Sequence, residues 1–269
     1  MTSLPLGEAL FAVQRTTPLV HCITNFVAMN STANCLLAVG ASPAMLHAVE
    51  EVAEFTRLAG ALSINIGTPS PTWAEGMQQA VKAAQESNTP WVFDPVAVGA
   101  THYRQTLSQA LLAFGPSVIR GNASEIMALT DLTHQGRGVD ATASTDEARD
   151  AAIILANRQG CIVAMTGEHD FVTDGTQHWR LTGGHPLMPR VTTLGCALSA
   201  TVAAFIAARP ETPLIATVAA LASFGVAGER AGALATGPGS FQVALLDALY
   251  QLTPTDLDAF TGLEKVNAL

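Results

Sequence analysis

The chain is poor in charge. Asp, Glu, Lys and Arg make up 13% of its 269 residues, against 49% apolar. So little charge on so apolar a chain implies that part of the outer surface is covered by another subunit, and a homo-oligomer is expected. The charge that exists leans acidic, with a formal net value of -9. There is no basic stripe, which argues against nucleic acid and anionic membrane as partners. Lysine is almost missing. Lys82 falls on the polar face of a predicted helix and Lys265 lies near the C-terminus. Neither suits a Schiff base or a phosphate-binding loop. Any phosphate must therefore meet arginine, backbone amides or a metal ion.

Paired cysteines are also missing. Cys22, Cys35, Cys161 and Cys196 show neither CxxC pairing nor metal-ligand spacing. Sparse cysteines fit a reducing compartment, and the first residues carry neither a basic start nor a secretory apolar core. A cytoplasmic protein is expected. The most apolar stretch, 196–208, is too short to span a bilayer and reads as a buried helix.

What is present is alternation. Apolar β-rich runs at 19–24, 62–66, 91–94, 117–121 and 161–166 are predicted strands. Two more, at 170–173 and 177–181, flank Asp174-Gly175 and read as a hairpin. Helices are predicted over 26–39, 46–58, 72–87, 104–114, 124–129, 146–158, 196–208, 214–233 and 241–252. Continuous apolar strands alternating with helices predict an α/β fold with a mainly parallel central sheet covered on both faces. No repeat or linker divides the chain, so one domain over residues 1–269 is expected. The stretch 136–144, rich in Gly, Thr and Ala, reads as a surface loop.

In such sheets ligands sit beyond the carboxyl ends of the strands. Five predicted strand ends carry polar groups there: Thr24-Asn25, Gly67-Thr68, Asp94-Pro95, Arg120-Gly121-Asn122 and Thr166-Gly167. Asp94 is a candidate ligand for a metal or water, or a loop cap. Arg120 suits a phosphate. Asn122 and Glu125 have the spacing of a capping box, and the same pair can fix hydrated Mg²⁺. Thr166 with Gly167 suits a nucleotide phosphate, or is a plain turn. Asn25, Asn30 and Asn34 recur as if along one side of a helix, which suggests polar contacts to a ligand or a neighbouring subunit. Met45 sits beside them, as core or as the wall of a heteroaromatic site. In Gly237-Pro-Gly-Ser240, Ser240 can cap the last long helix.

Cys196 closes the list. It stands in Val191-Thr-Thr-Leu-Gly-Cys196, where a turn enters an apolar helix. The first amides of a helix lack internal partners and carry partial positive charge, which makes an anion site. The cysteine there is a thiol of lowered pKa, a small group beside a phosphate, or a buried residue packing like alanine.

Taken together, His21-Cys-Ile-Thr-Asn-Phe-Val-Ala-Met-Asn-Ser-Thr-Ala-Asn34, Asn65-Ile-Gly-Thr68, Asp94-Pro-Val-Ala-Val-Gly-Ala100, Arg120-Gly-Asn-Ala-Ser-Glu125, Gly195-Cys196 and Gly237-Pro-Gly-Ser-Phe241 resemble the hydroxyethylthiazole kinase family, of the ribokinase-like superfamily. The resemblance implies phosphorylation of the primary alcohol of 4-methyl-5-(2-hydroxyethyl)thiazole by ATP with Mg²⁺, in thiamine biosynthesis and salvage. It implies that Arg120 and Thr166 contact ATP, and that Asp94 and Glu125 lie on the Mg²⁺–phosphate side, directly or through water. Met45, Thr193 and Gly195 map to thiazole contacts, with Asn25 nearby. Cys196 takes the place of the catalytic aspartate of ribokinase-like relatives. The family pattern also implies a homotrimer with active sites at subunit interfaces. The chain departs from a frequent Gly-Thr-Gly-Cys run by reading Thr193-Leu194-Gly195-Cys196, which places Leu194 as added bulk beside the anion site. Other readings are an acyl transferase or hydrolase with Cys196 as nucleophile and His21 or His169 as its base, a non-catalytic binder of small ligands, and a sugar kinase.

Overall fold

Short apolar strands buried on both faces, joined by helical crossovers, account for the architecture. The computed structural model describes residues 4–133 and 145–267. The predicted loop at 136–144 lies outside the described residues. In chain order the elements are α1 (Leu6–Thr16), β1 (Leu19–Ile23), α2 (Met29–Val39), β2 (Ser42–Ala44), α3 (Val52–Leu58), β3 (Ala61–Asn65), α4 (Pro71–Ser87), β4 (Trp91–Asp94), α5 (His102–Leu112), β5 (Val118–Asn122), α6 (Ala123–Leu132), α7 (Thr145–Gln159), β6 (Ile162–Thr166), β7 (Asp170–Thr173), β8 (His178–Leu181), α8 (Leu194–Ala208), α9 (Pro213–Leu234), α10 (Pro238–Tyr250), α11 (Pro254–Asp258) and β9 (Leu263–Val266).

The nine strands form one sheet in the order β2-β1-β3-β4-β5-β6-β7-β8-β9. It is parallel from β2 through β6. It is antiparallel from β6 to β9, where the expected hairpin forms between β7 and β8. The strands bury both faces. Val92, Val118, Ile162 and Ala164 pack on the side of α1, α2, α8, α9 and α10. Trp91, Phe93, Ile119 and Val163 pack on the other side, with α4, α5 and α7. Helix α9 is long and apolar enough to cross a bilayer by length and composition, yet 72% of that stretch is buried within the fold.

Several boundaries differ from expectation. Helix α2 starts at Met29 rather than 26, because the Asn25 side chain accepts from the Val27 and Ala28 amides and holds a turn ahead of it. Asn25 therefore lies outside the helix, and Asn34 Nδ2 donates to Asn30 Oδ1 at 3.0 Å. Helix α3 begins at Val52, not 46. Helix α10 begins at Pro238, so Ser240 sits in its first turn and accepts from the Thr236 and Gly237 amides. The short edge strands β2 and β9 and the five-residue helix α11 carry too little pattern to have been predicted, whereas α1, with Leu6, Ala9, Leu10 and Val13 buried at helical spacing, was legible and was missed.

Candidate active site

Parity decides which polar groups meet. Side chains two apart on a strand share a face. Asn65 follows Ala61 and Ser63, Asp94 follows Val92, Arg120 follows Val118, and Thr166 follows Ile162 and Ala164. All four therefore face the α8 side, at or near the carboxyl ends of four adjacent parallel strands. Register keeps them level: Asn65 is opposite Asp94, and Thr166 is opposite Asn122.

The four join a continuous polar chain with α8 and the turn after β1. Asn25 Nδ2 donates to Cys196 Sγ at 3.3 Å and to Asn65 Oδ1 at 2.9 Å. Asn65 Nδ2 donates to Asp94 Oδ2 at 2.7 Å. Ser199 Oγ, on α8, donates to the same oxygen at 2.8 Å. Arg120 Nη1 lies 3.9 Å from Asp94 Oδ2, and Arg120 Nη2 donates to Thr166 Oγ1. Asp94 and Asn65 are each 1% exposed, so these contacts are made away from water. Burial pushes the Asp94 carboxyl up to about 6, against the pull of Arg120 and of the hydrogen bonds from Ser199 and Asn65. Its Oδ1 is buried and has no hydrogen-bond partner.

Cys196 lies in the first turn of α8, two residues after its start at Leu194. No side chain caps this helix; the Thr193 hydroxyl pairs instead with Ser31 Oγ. The first amides of α8 therefore have no side-chain partner. The Cys196 thiol does not follow the lowered-pKa reading. Burial first, and the Asp94 charge second, push it above the ordinary thiol value, outweighing Asn25, Asn65 and Arg120. It is a thiol, not a thiolate, near neutral pH. The nucleophile reading also lacks a base. His21 bonds Thr56 and the Leu46 carbonyl, and His169 bonds Thr182.

Gly195 has a steric duty. A Cβ there would stand 2.5 Å from Arg120 Nη1, so the guanidinium rests against the bare backbone of the turn. Thr193 adopts φ 72°, the left-handed region that glycine prefers. The frequent glycine at this position thus has a conformational reason in this chain. Leu194 is 8% exposed and joins the α8 core, so it adds no bulk beside the anion site.

Glu125 and Asn122 form the capping box: Asn122 Oδ1 accepts from the Glu125 amide at 3.0 Å, and Glu125 Oε2 accepts from the Asn122 amide at 2.8 Å. Glu125 Oε1 also accepts from the Ala97 amide after β4 at 2.9 Å. The cap thus ties the ends of β4 and β5 together and leaves the carboxylate near enough to raise the Asp94 pKa. Met45 follows β2 directly, on the same sheet edge beyond β1, and packs on the core. Among the described residues no group of three or more His, Cys, Asp and Glu is arranged to cage a metal ion.

Sequence reasoning gave no role to Asn65, Ser199 or Arg104. Asn65 was visible only as part of a motif, and Ser199 looked like a small residue in an apolar helix. Arg104 donates from Nη1 to the carbonyls of Ile66 and Val96 (2.8 Å to Val96), and from Nη2 to Gly67 at 2.7 Å. It staples together the loops after β3 and β4. No local pattern announces a guanidinium whose partners are all backbone carbonyls.

This mainly parallel sheet with an antiparallel edge, its polar strand ends gathered under a helix N-terminus, has the ribokinase-like architecture, a class of small-molecule kinases. A pyridoxal kinase from Staphylococcus aureus shares this fold, with a TM-score of 0.61 and 16% identity over 80% of this chain and 89% of its own. Residues 10–255 match the model of the hydroxyethylthiazole kinase family. A hydroxyethylthiazole kinase of Cereibacter sphaeroides is 57% identical over 258 residues, covering 96% of this chain and 98% of its own. One from Rhizobium rhizogenes is 54% identical over 253 residues, covering 94% of each. The solved structure of the Pyrococcus horikoshii hydroxyethylthiazole kinase has a TM-score of 0.91 and 42% identity, covering 97% of this chain and 99% of its own. The chain belongs to the hydroxyethylthiazole kinase family.

Proposed function

We propose that the chain transfers the γ-phosphoryl group of ATP to the primary alcohol of 4-methyl-5-(2-hydroxyethyl)thiazole, in thiamine biosynthesis and salvage. The observation that carries this reading is the buried polar chain from Cys196 through Asn25, Asn65 and Asp94 to Arg120 and Thr166, beneath an uncapped helix N-terminus. Phosphoryl transfer asks for positioning and charge stabilisation rather than covalent chemistry, and this site offers those. Arg120 and Thr166 hold ATP phosphate oxygens. The amides at the start of α8, with Gly195 bare of side chain, stabilise charge on the group in transfer. Met45, Asn25 and Thr193 line the thiazole side. Cys196 is the catalytic residue nearest the reacting oxygen. As a neutral thiol it does not repel the phosphate, and it acts by placement rather than as a base.

The residues fit Mg²⁺. Asp94 Oδ1 is a buried carboxylate oxygen without a partner, and each Glu125 oxygen accepts a single amide, Oε2 from Asn122 in the cap and Oε1 from Ala97, which leaves lone pairs for metal-bound waters. One or two carboxylates plus waters and substrate phosphates, without a protein cage, are the donor set Mg²⁺ takes. When bound, Mg²⁺ neutralises charge on the nucleotide phosphates. One sheet running from β1 to β9 supports a single catalytic domain. Exposed Phe26 and Val27, next to Asn25, support a trimer with sites at its interfaces. Four free cysteines are consistent with work in the cytoplasm.

A coupled ADP-release assay with the thiazole alcohol tests the reading. Wild type should turn over, and Arg120→Ala should lose about 10²- to 10³-fold in kcat/KM. ADP release that ignores the thiazole alcohol, or tight thiazole binding with no ADP release, would sink it.

A further inference from the structure

The Asp94 carboxylate is held on one side only. Its Oδ2 receives Asn65 Nδ2 at 2.7 Å and Ser199 Oγ at 2.8 Å, and Arg120 approaches the same atom. Its Oδ1 receives nothing, although it is buried. A carboxylate packed only for stability has both oxygens satisfied, since a buried acceptor without a donor is costly. Two donors on one oxygen and none on the other fix the rotamer and leave one oxygen free for a ligand.

The donors are themselves pinned. Asn65 Oδ1 accepts from Asn25 Nδ2 and from the Gly67 amide, both at 2.9 Å, so its amide is held with Nδ2 toward Asp94. Ser199 is fully buried and lies three residues after Cys196 on α8. Its hydroxyl also stands 3.3 Å from the Gly195 carbonyl, longer than its bond to Asp94. The same side chain therefore sets the carboxylate and ties it to the turn that carries Cys196.

We propose that Asn65 and Ser199 are positioning residues for phosphoryl transfer: they hold Asp94 by Oδ2 so that Oδ1 is the oxygen offered to the nucleotide-bound divalent cation. This rests on the reading that Asp94 faces the metal–nucleotide. Partners of this kind behind a metal-directed carboxylate are typically worth 10- to 100-fold in metal affinity or activity. Ser199→Ala is the clean variant, because it removes one donor, keeps the helix and leaves no other group orphaned. Asn65→Ala also frees Asn25 and the Gly67 amide.

The test measures Mn²⁺·ADP binding by calorimetry, kcat, and KM for the thiazole alcohol. It compares wild type, Ser199→Ala, Asp94→Asn and the double variant. Ser199→Ala should weaken Mn²⁺·ADP about tenfold while metal-free ADP binding and thiazole KM stay put, and kcat should fall about tenfold. In the Asp94→Asn background, Ser199→Ala should cost nothing more in Mn²⁺·ADP binding, since both act through one carboxylate. A Ser199→Ala protein that melts lower yet binds Mn²⁺·ADP and turns over within twofold of wild type overturns the proposal. So does an effect that adds in full to that of Asp94→Asn, and so does a wild type that does not bind Mn²⁺·ADP. If wild type never phosphorylates the thiazole alcohol but the Mn²⁺·ADP difference holds, the assigned reaction fails and the clamp stands.

Discussion

Opposing effects meet at the Cys196 sulfur. The helix N-terminus favours a thiolate, while burial and the Asp94 charge favour the thiol, and the thiol wins. Alkylation of Cys196 by iodoacetamide should therefore be slow at pH 7 and accelerate only in strongly alkaline solution. Cys196→Ser should keep turnover within about tenfold, because a working general base is worth about 10²- to 10⁴-fold. Fast alkylation at pH 7, or a Ser variant down a thousandfold, would restore the base role. Thr193 teaches a related lesson. The frequent family run has glycine where this chain has Thr193, and the backbone there at φ 72° shows that the turn itself asks for glycine, at a strain of about 1–3 kcal/mol for another residue.

At the scale of elements, strand existence was legible and helix starts were less so. Five parallel strands announced themselves as apolar runs, and the Asp174-Gly175 hairpin by its turn residues. Helix starts at 29 and 238 depended on which side chain satisfied which amide, as Asn25 does before α2 and Ser240 at α10. His21 on β1 shows how an element is anchored. It is fully buried, and Nε2 pairs with the Leu46 carbonyl at 3.0 Å while Nδ1 pairs at 3.0 Å with the Thr56 hydroxyl, which itself donates to the Val52 carbonyl at 2.7 Å. This ties β1 to the segment just after Met45. Burial lowers its pKa from 6.5 to about 4, partly offset by the Leu46 bond. As pH falls through 6.5 the unfolded chain takes up a proton that the folded chain refuses. The stability His21 contributes is therefore whole above pH 6.5 and drains away toward pH 4, by up to about 3 kcal/mol. Asp94 and Asp170, both raised to about 6 chiefly by burial, act in the opposite sense over a similar range. The difference in chemical-denaturation stability between wild type and His21→Gln isolates the histidine: it should move in favour of His21→Gln as pH drops from 6.5 to 4. A constant difference would refute the neutral, buried imidazole.

For the whole molecule, the scarcity of charge becomes concrete in exposed apolar side chains. Phe26, Val27, Leu37, Leu234 and Val243 each expose more than half of their surface: 64%, 61%, 59%, 77% and 62%. Light scattering at micromolar concentration should give the mass of three chains, and Phe26→Asp should lower both the mass and the turnover. A monomer at full activity would refute sites shared between subunits. The sequence by itself determined the alternation of strand and helix, the parallel sheet, the edge bearing the polar strand ends and the family. These follow from local periodicity and from residues adjacent in the chain. Only the tertiary structure decided that Asn65 and Ser199 grip Asp94, that Arg120 lies over Gly195, that Arg104 staples two loops and that Cys196 stays protonated. Those facts depend on groups up to 171 residues apart sharing one dry space, where burial sets the pKa and pairing decides which oxygen remains free.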